Sequence, residues 1–210
     1  IDYLFSQFQQ EDINIEILVL DIYSLSLKIE LNPRISEYFS SNFPFVPFLY
    51  IVFDPPSPEC QSYAFVCIAT ACHTQSFPYQ IFDNEEVLTF LYQALSSEDP
   101  NIIDSSLQIL SEVVKNSIDS RDYLLQNDII STLESMKLTY SVAELLESLC
   151  SLDPPPLAQF IPSIAGFISQ LIDGSELTIF ELGLSSLLSL LQNNAEGIDA
   201  DQFQNYLPTI

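Results

Sequence analysis

An all-α array of stacked helical units is the fold this sequence predicts, and three observations predict it. Apolar residues recur at helical spacing in segments that repeat about every 42 residues. Prolines stand at matching points where those segments begin, and a proline in the first helical turn loses no bond that the helix would have made. Glycine is confined to Gly166, Gly174, Gly183 and Gly197, so the tight hairpin turns of an all-β chain are missing.

Taken in order, the first predicted helix covers Ile13 to Glu30, apolar nearly all round, and Asn32-Pro33 ends it. A short helix, a polar break at Ser41-Asn42 and a helix entered through Pro44 and Pro47 follow. DPPSP at 54–58 is a rigid turn, after which Glu59 to His73 restarts helical spacing with Phe65, Ile68 and Cys72 on one face. The central stretch, Asp83 to Leu133, reads as helix, acid-and-proline turn, second helix, polar loop, and the first helix again. Helices at Val142 to Leu152, Leu157 to Ile172 and Glu176 to Gln192 complete the series.

A shift of about 42 residues tests the repeat. It aligns Phe39, Ile81 and Tyr123, then Phe45, Val87 and Ile129, then Val46, Leu88 and Ile130, then Leu49, Leu91 and Leu133. Farther on, Phe65, Leu107 and Leu149 coincide, as do Ile68, Leu110 and Leu152, and Pro58 falls on Pro100. Helix starts also echo one another: Phe160-Ile161-Pro162-Ser163-Ile164 matches Tyr206-Leu207-Pro208-Thr209-Ile210, and Phe45-Val46-Pro47-Phe48-Leu49 keeps the same order. The approximate units are 1–32, 33–74, 75–117, 118–153 and 154–194, with the start of another at 198–210, all in one repeat domain.

A period of 40–47 residues with two or three helices marks armadillo and HEAT arrays. SEDPNIIDSSLQILSEVV resembles the turn and third helix of an armadillo repeat, and SRDYLLQNDIISTL resembles the first and second helices of the next. The pair 157–192 is more HEAT-like, with an Asp173-Gly174 turn. The resemblance implies a right-handed α-solenoid of four to five units with the last helix of each lining a concave groove. One departure is that the glycine usual between the first two helices is replaced by Asn42, Asn84 and Gln126. Asparagine tolerates a left-handed backbone better than glutamine, so the turn near Gln126 is expected to shift.

Composition narrows the function. The chain is 48% hydrophobic and 16% charged with a net charge of −24, so it folds rather than stays disordered. That charge repels phosphate backbones and anionic lipid while drawing basic segments. The most apolar run, Phe43 to Phe53, is too short and proline-broken to span a bilayer. Cysteines at irregular spacing, no glycosylation sequon and no signal-like start fit a reducing compartment: the cytoplasm, with shuttling to the nucleus compatible.

Catalysis finds little support. His73 is the only histidine, and Cys60, Cys67, Cys72 and Cys150 lack the paired spacing of a zinc site and read as core residues. Glu11-Asp12, Glu85-Glu86 and Glu98-Asp99 fall at helix starts, where acids complement the dipole. Ser57-Pro58 stands in a turn that a kinase could reach. No cofactor, metal or small-molecule substrate is expected.

The groove remains. Importin-type members place Trp and, four residues later, Asn on the last helix to grip an extended basic peptide. The matching positions here are Gln108 and Glu112, with Val66 and Thr70 one unit earlier, and the chain has no Trp. The resemblance implies that Asp21, Thr70, Gln108, Glu112, Glu147, Ser185 and Ser189 face the groove, a mildly acidic, hydroxyl-rich surface. The expected function is a non-catalytic protein-interaction scaffold for a basic or extended peptide. The alternative is a regulatory or assembly subunit of a larger enzyme or trafficking complex. Both chain ends are apolar at helical spacing (Tyr3, Leu4, Phe5 and Phe8; Phe203, Tyr206, Leu207 and Ile210), so both are expected to be cuts through a longer solenoid, with Tyr206 and Leu207 packing back on 157–192.

Overall fold

The computed structural model describes residues 20, 34, 43–73, 77–174 and 176–193. These residues are helical with connecting turns, and no strand occurs among them. The chain divides into two compact units, Ile1–Ile109 and Leu110–Ile210, with the boundary inside one helix. The predicted helix Ile13 to Glu30, the candidate Asp21 and both apolar ends, with the fold-back of Tyr206 and Leu207, lie outside the described residues.

In the first unit, α1 (Phe45–Phe53) begins just after Pro44 and takes Pro47 into its first turn, where a missing N–H is harmless. Its buried face is Phe45, Phe48, Leu49 and Val52, the i, i+3, i+4, i+7 pattern of a helix covering a core. Phe45 also meets Phe43, Phe77 and Phe82 with ring centroids 4.8, 5.6 and 5.9 Å away, an aromatic cluster with edge-on geometry. α2 (Pro58–Cys72) packs on α1. Its cap is Ser57, whose Oγ accepts from the Cys60 N–H at 3.2 Å, and Gln61 ties the two helices by donating to the Val52 carbonyl at 2.8 Å. Phe65, Ile68 and Cys72 are buried as their spacing predicts.

The short α3 (Tyr79–Phe82) leads to α4 (Glu85–Ala94), capped by Asn84, which accepts from the Glu86 N–H at 2.9 Å. α5 (Pro100–Val114) opens on Pro100, with Asp99 accepting from the Asn101 N–H at 2.8 Å. Pro58 and Pro100, one period apart in the sequence, thus hold the same structural position.

The second unit takes over within α5 and adds α6 (Ile118–Gln126), α7 (Ile129–Ser135), α8 (Tyr140–Ser151), α9 (Ile161–Asp173) and α10 (Leu177–Gln192). Ser117 caps α6 and Thr139 caps α8, each through its hydroxyl. α10 packs against both α8 and α9. Inside this unit Ser111 and Ser148 are buried with their hydroxyls 2.6 Å apart. Ser148 gives its proton to the Glu144 carbonyl at 2.8 Å, so Ser111 is the donor between the two. Arg121 is 1% exposed; it donates to the Pro154 carbonyl and to Asp122, the latter at 2.8 Å.

The turn near Gln126 shifts as expected, and two other expectations are corrected. The left-handed residue between α6 and α7 is Asp128 at φ 62, while Asn84 is extended at φ −124. Aspartate visits that region more readily than glutamine because its short side chain bonds locally; here Asp128 Oδ1 accepts from the Ser131 hydroxyl at 2.8 Å. Helix α9 starts at Ile161 rather than Leu157, since Pro162 is tolerated only in the first turn. Val46, aligned with the buried Leu88 and Ile130, is 44% exposed: it lies off the buried face of α1, and the alignment compares hydropathy, not direction.

Gly183 stands where two helices pack tightly. A Cβ there would stand 3.0 Å from Leu171 Cβ and 3.2 Å from Ile172 Cγ1, so α9 and α10 approach as closely as they do because it is absent. Gly183→Val is expected to destabilise the second unit by about 1–3 kcal/mol through overpacking. An unchanged midpoint in urea unfolding would contradict the tight contact.

Candidate functional site

Within the second unit the structure brings together several of the residues expected on the groove face. Glu112 on α5 holds the Lys115 ammonium at 2.8 Å, and Glu144 on α8 holds the same ammonium at 3.3 Å. One turn farther along α8, Glu147 accepts from the Ser185 hydroxyl of α10 at 3.2 Å. Three helices therefore contribute to one polar strip, with Ser189 half-buried one turn beyond Ser185.

The strip is acidic in excess of its one cation. The side chains of Glu112 and Glu144 are 16% and 13% exposed, against 32% for Lys115, so these are sheltered charges that salt screens less than surface ones. Burial is the largest influence on Lys115 and lowers its pKa. The hydrogen bond and charge of Glu112, joined by those of Glu144, together outweigh burial, and the net shift is upward. Nearby, burial first and the Glu147 carboxylate second push the Cys150 thiol far above the ordinary range, with Arg121 opposing. Cys150 is a fully buried core thiol.

In the first unit the face is built differently. Ser62, Tyr63 and Val66 of α2 line an open cleft of about 510 Å³, whose other walls are Pro58, Glu59 and the Asp99–Asn101 turn. Thr70, one turn beyond Val66, donates to the Val66 carbonyl at 2.7 Å. Gln108 donates to Asp104 at 2.8 Å, which holds its amide along α5. Both are half-buried.

Sequence reasoning missed Glu144 and Lys115. Each stands three residues from a residue it did find, Glu147 and Glu112, and i, i+3 neighbours share a helix face; that spacing could have found both. Cys60, Cys67, Cys72 and Cys150 are all buried thiols, with Cys67 donating to the Leu20 carbonyl at 3.5 Å. Among the described residues no group of three or more His, Cys, Asp or Glu is placed to hold a metal ion. No helix among them is long and apolar enough to cross a membrane.

No protein-family model and no curated protein matches the sequence. Solved structures match the fold. A crystal structure of computationally designed armadillo repeat proteins for modular peptide recognition aligns with 98% of this chain and 92% of its own, at TM-score 0.64 and 12% identity. Two engineered proteins from a structural genomics consortium align with 90% and 91% of this chain at TM-scores 0.66 and 0.63, with identities of 10% and 9%. This chain spans 47% of the first and 84% of the second. The fold is therefore the all-α, armadillo-like repeat fold of the solenoid class.

Proposed function

We propose that this armadillo-like array is a non-catalytic scaffold that holds a basic, extended peptide segment of a protein partner along the last helices of its units. The observation that carries the reading is the Glu112–Lys115–Glu144 bridge. Carboxylates from two successive last helices already grip one ammonium between them, which is the way a lysine or arginine of a client would be held. The cleft beside Tyr63 and Val66, flanked by Glu59 and Asp99, offers an apolar wall for the stem of such a side chain and charge for its head. The solved neighbour designed for modular peptide recognition supports the same use of the fold. Among the described residues, Thr70, Gln108, Ser185 and Ser189 would serve as supporting contacts. Nucleic acid and small-molecule substrates have no place in this reading, and buried thiols suit the reducing cytoplasm.

Glu112→Lys together with Glu147→Lys tests it, with binding of a fluorescein-labelled, lysine- and arginine-rich extended peptide read by anisotropy. The double variant is expected to weaken binding by about tenfold or more, and wild-type binding is expected to fall steeply as salt rises. Wild-type binding that ignores salt, or a double variant that binds as before with its helical circular dichroism intact, would overturn the assignment.

A further inference from the structure

A second surface, on α1 and α4 rather than on the last helices, carries features that the proposed groove does not use. Val46, Tyr50 and Phe53 are 44%, 71% and 41% exposed. They sit at i, i+4 and i+7, so they form one stripe along two turns of α1. Single exposed apolar residues are ordinary, but a contiguous stripe is not. It runs into a groove of about 560 Å³ lined by Phe53, Phe90, Glu85, Glu86, Thr89 and Gln93. The floor is firm: the Phe53 and Phe90 rings meet at 4.5 Å, and Phe90 stacks on the buried Phe65 at 6.2 Å.

The rim is anionic. Asp54, Glu85 and Glu86 are exposed beside the stripe, and no lysine or arginine occurs between Arg34 and Lys115. A partner must therefore bring both apolar surface and positive charge. It must also satisfy its own backbone, because helices α1 and α4 pair theirs internally and offer no strand edge to extend. An amphipathic helix meets both conditions. A second copy of this chain meets the charge condition poorly, since it brings five lysines and arginines against 29 acids, a net charge of −24.

We infer that the α1–α4 face is a docking surface for a basic amphipathic helix of another protein, its apolar residues seated on Tyr50, Phe53 and Phe90 and its lysines or arginines on Glu85 and Glu86. This site is independent of the groove proposed above.

The test titrates the full chain with a fluorescein-labelled leucine–lysine peptide of roughly 18 residues, five turns of amphipathic helix, and with a scrambled peptide of the same composition. The amphipathic peptide is expected to bind about tenfold tighter than the scrambled one, and Tyr50→Ser is expected to remove that preference, as truncating a central aromatic anchor does. Glu85→Gln with Glu86→Gln should weaken it similarly, whereas Glu112→Lys with Glu147→Lys should leave it unchanged. Tyr50 is mostly exposed, so its substitution is expected to leave the fold standing, which circular dichroism would check. Equal affinity for the two peptides, no binding at all, or indifference to Tyr50→Ser would overturn the inference. So would loss of binding in the Glu112/Glu147 variant, or self-association through this face that blocks the peptide.

Discussion

Leu110→Ala is expected to cost about 2–5 kcal/mol, the range for removing a buried leucine whose cavity cannot collapse. Leu110 is fully buried and sits in the column shared with Ile68, which is also fully buried. In a repeat array the damage should be local, because each unit is stabilised by its neighbours and not by one shared core. Hydrogen exchange is the measurement that separates the cases. Loss of protection should appear first across residues 100–135, in α5, α6 and α7. A uniform loss over the whole chain would mean that the molecule unfolds as one cooperative body and not as an array.

Arg121→Ala is expected to cost about 3 kcal/mol, combining a lost charged hydrogen bond with the cavity left by a large side chain. The ion pair itself contributes the smaller part: Asp122 is 28% exposed, and solvent screens its attraction. The larger part is the Pro154 carbonyl, which loses its guanidinium donor, and the volume that Arg121 fills between α6 and the 153–160 link. Urea unfolding followed by circular dichroism checks this. Arg121→Met, which keeps most of the volume, should recover about half the loss, since apolar replacement of a buried charge is often tolerated. Equal losses for both variants would show that the hydrogen bonds, and not packing, hold this corner.

The helices were legible because prolines and capping residues write their starts directly. Pro58, Pro100 and Pro162 each stand in a first turn, and Ser57, Asn84, Ser117 and Thr139 each accept a cap bond. What the pattern could not supply was direction around the helix where apolar residues are dense. Val46 and Leu88 look equivalent in a hydropathy alignment, yet one faces outward and the other inward. Charge was harder still. Nothing in the sequence pattern marks Arg121 as buried, because only the fold brings the Pro154 carbonyl to it. Glu112, Glu147 and Ser185 were picked out as candidates by position in the repeat, whereas Lys115 was not, although it decides how much negative charge that strip has to spare.

The paired hydroxyls of Ser111 and Ser148 bear on how freely such units could be exchanged. An array held only by aliphatic contacts lets one unit stand in for another, since oil-like faces tolerate many neighbours. Here a buried donor on α5 finds its acceptor on α8 at 2.6 Å, and a unit moved elsewhere would carry a hydroxyl to a place with nothing to receive it. Neighbours in this chain are matched by address as well as by shape. Losing Ser148 alone would strand the Ser111 hydroxyl, whereas losing Ser111 alone leaves Ser148 bonded to the Glu144 carbonyl.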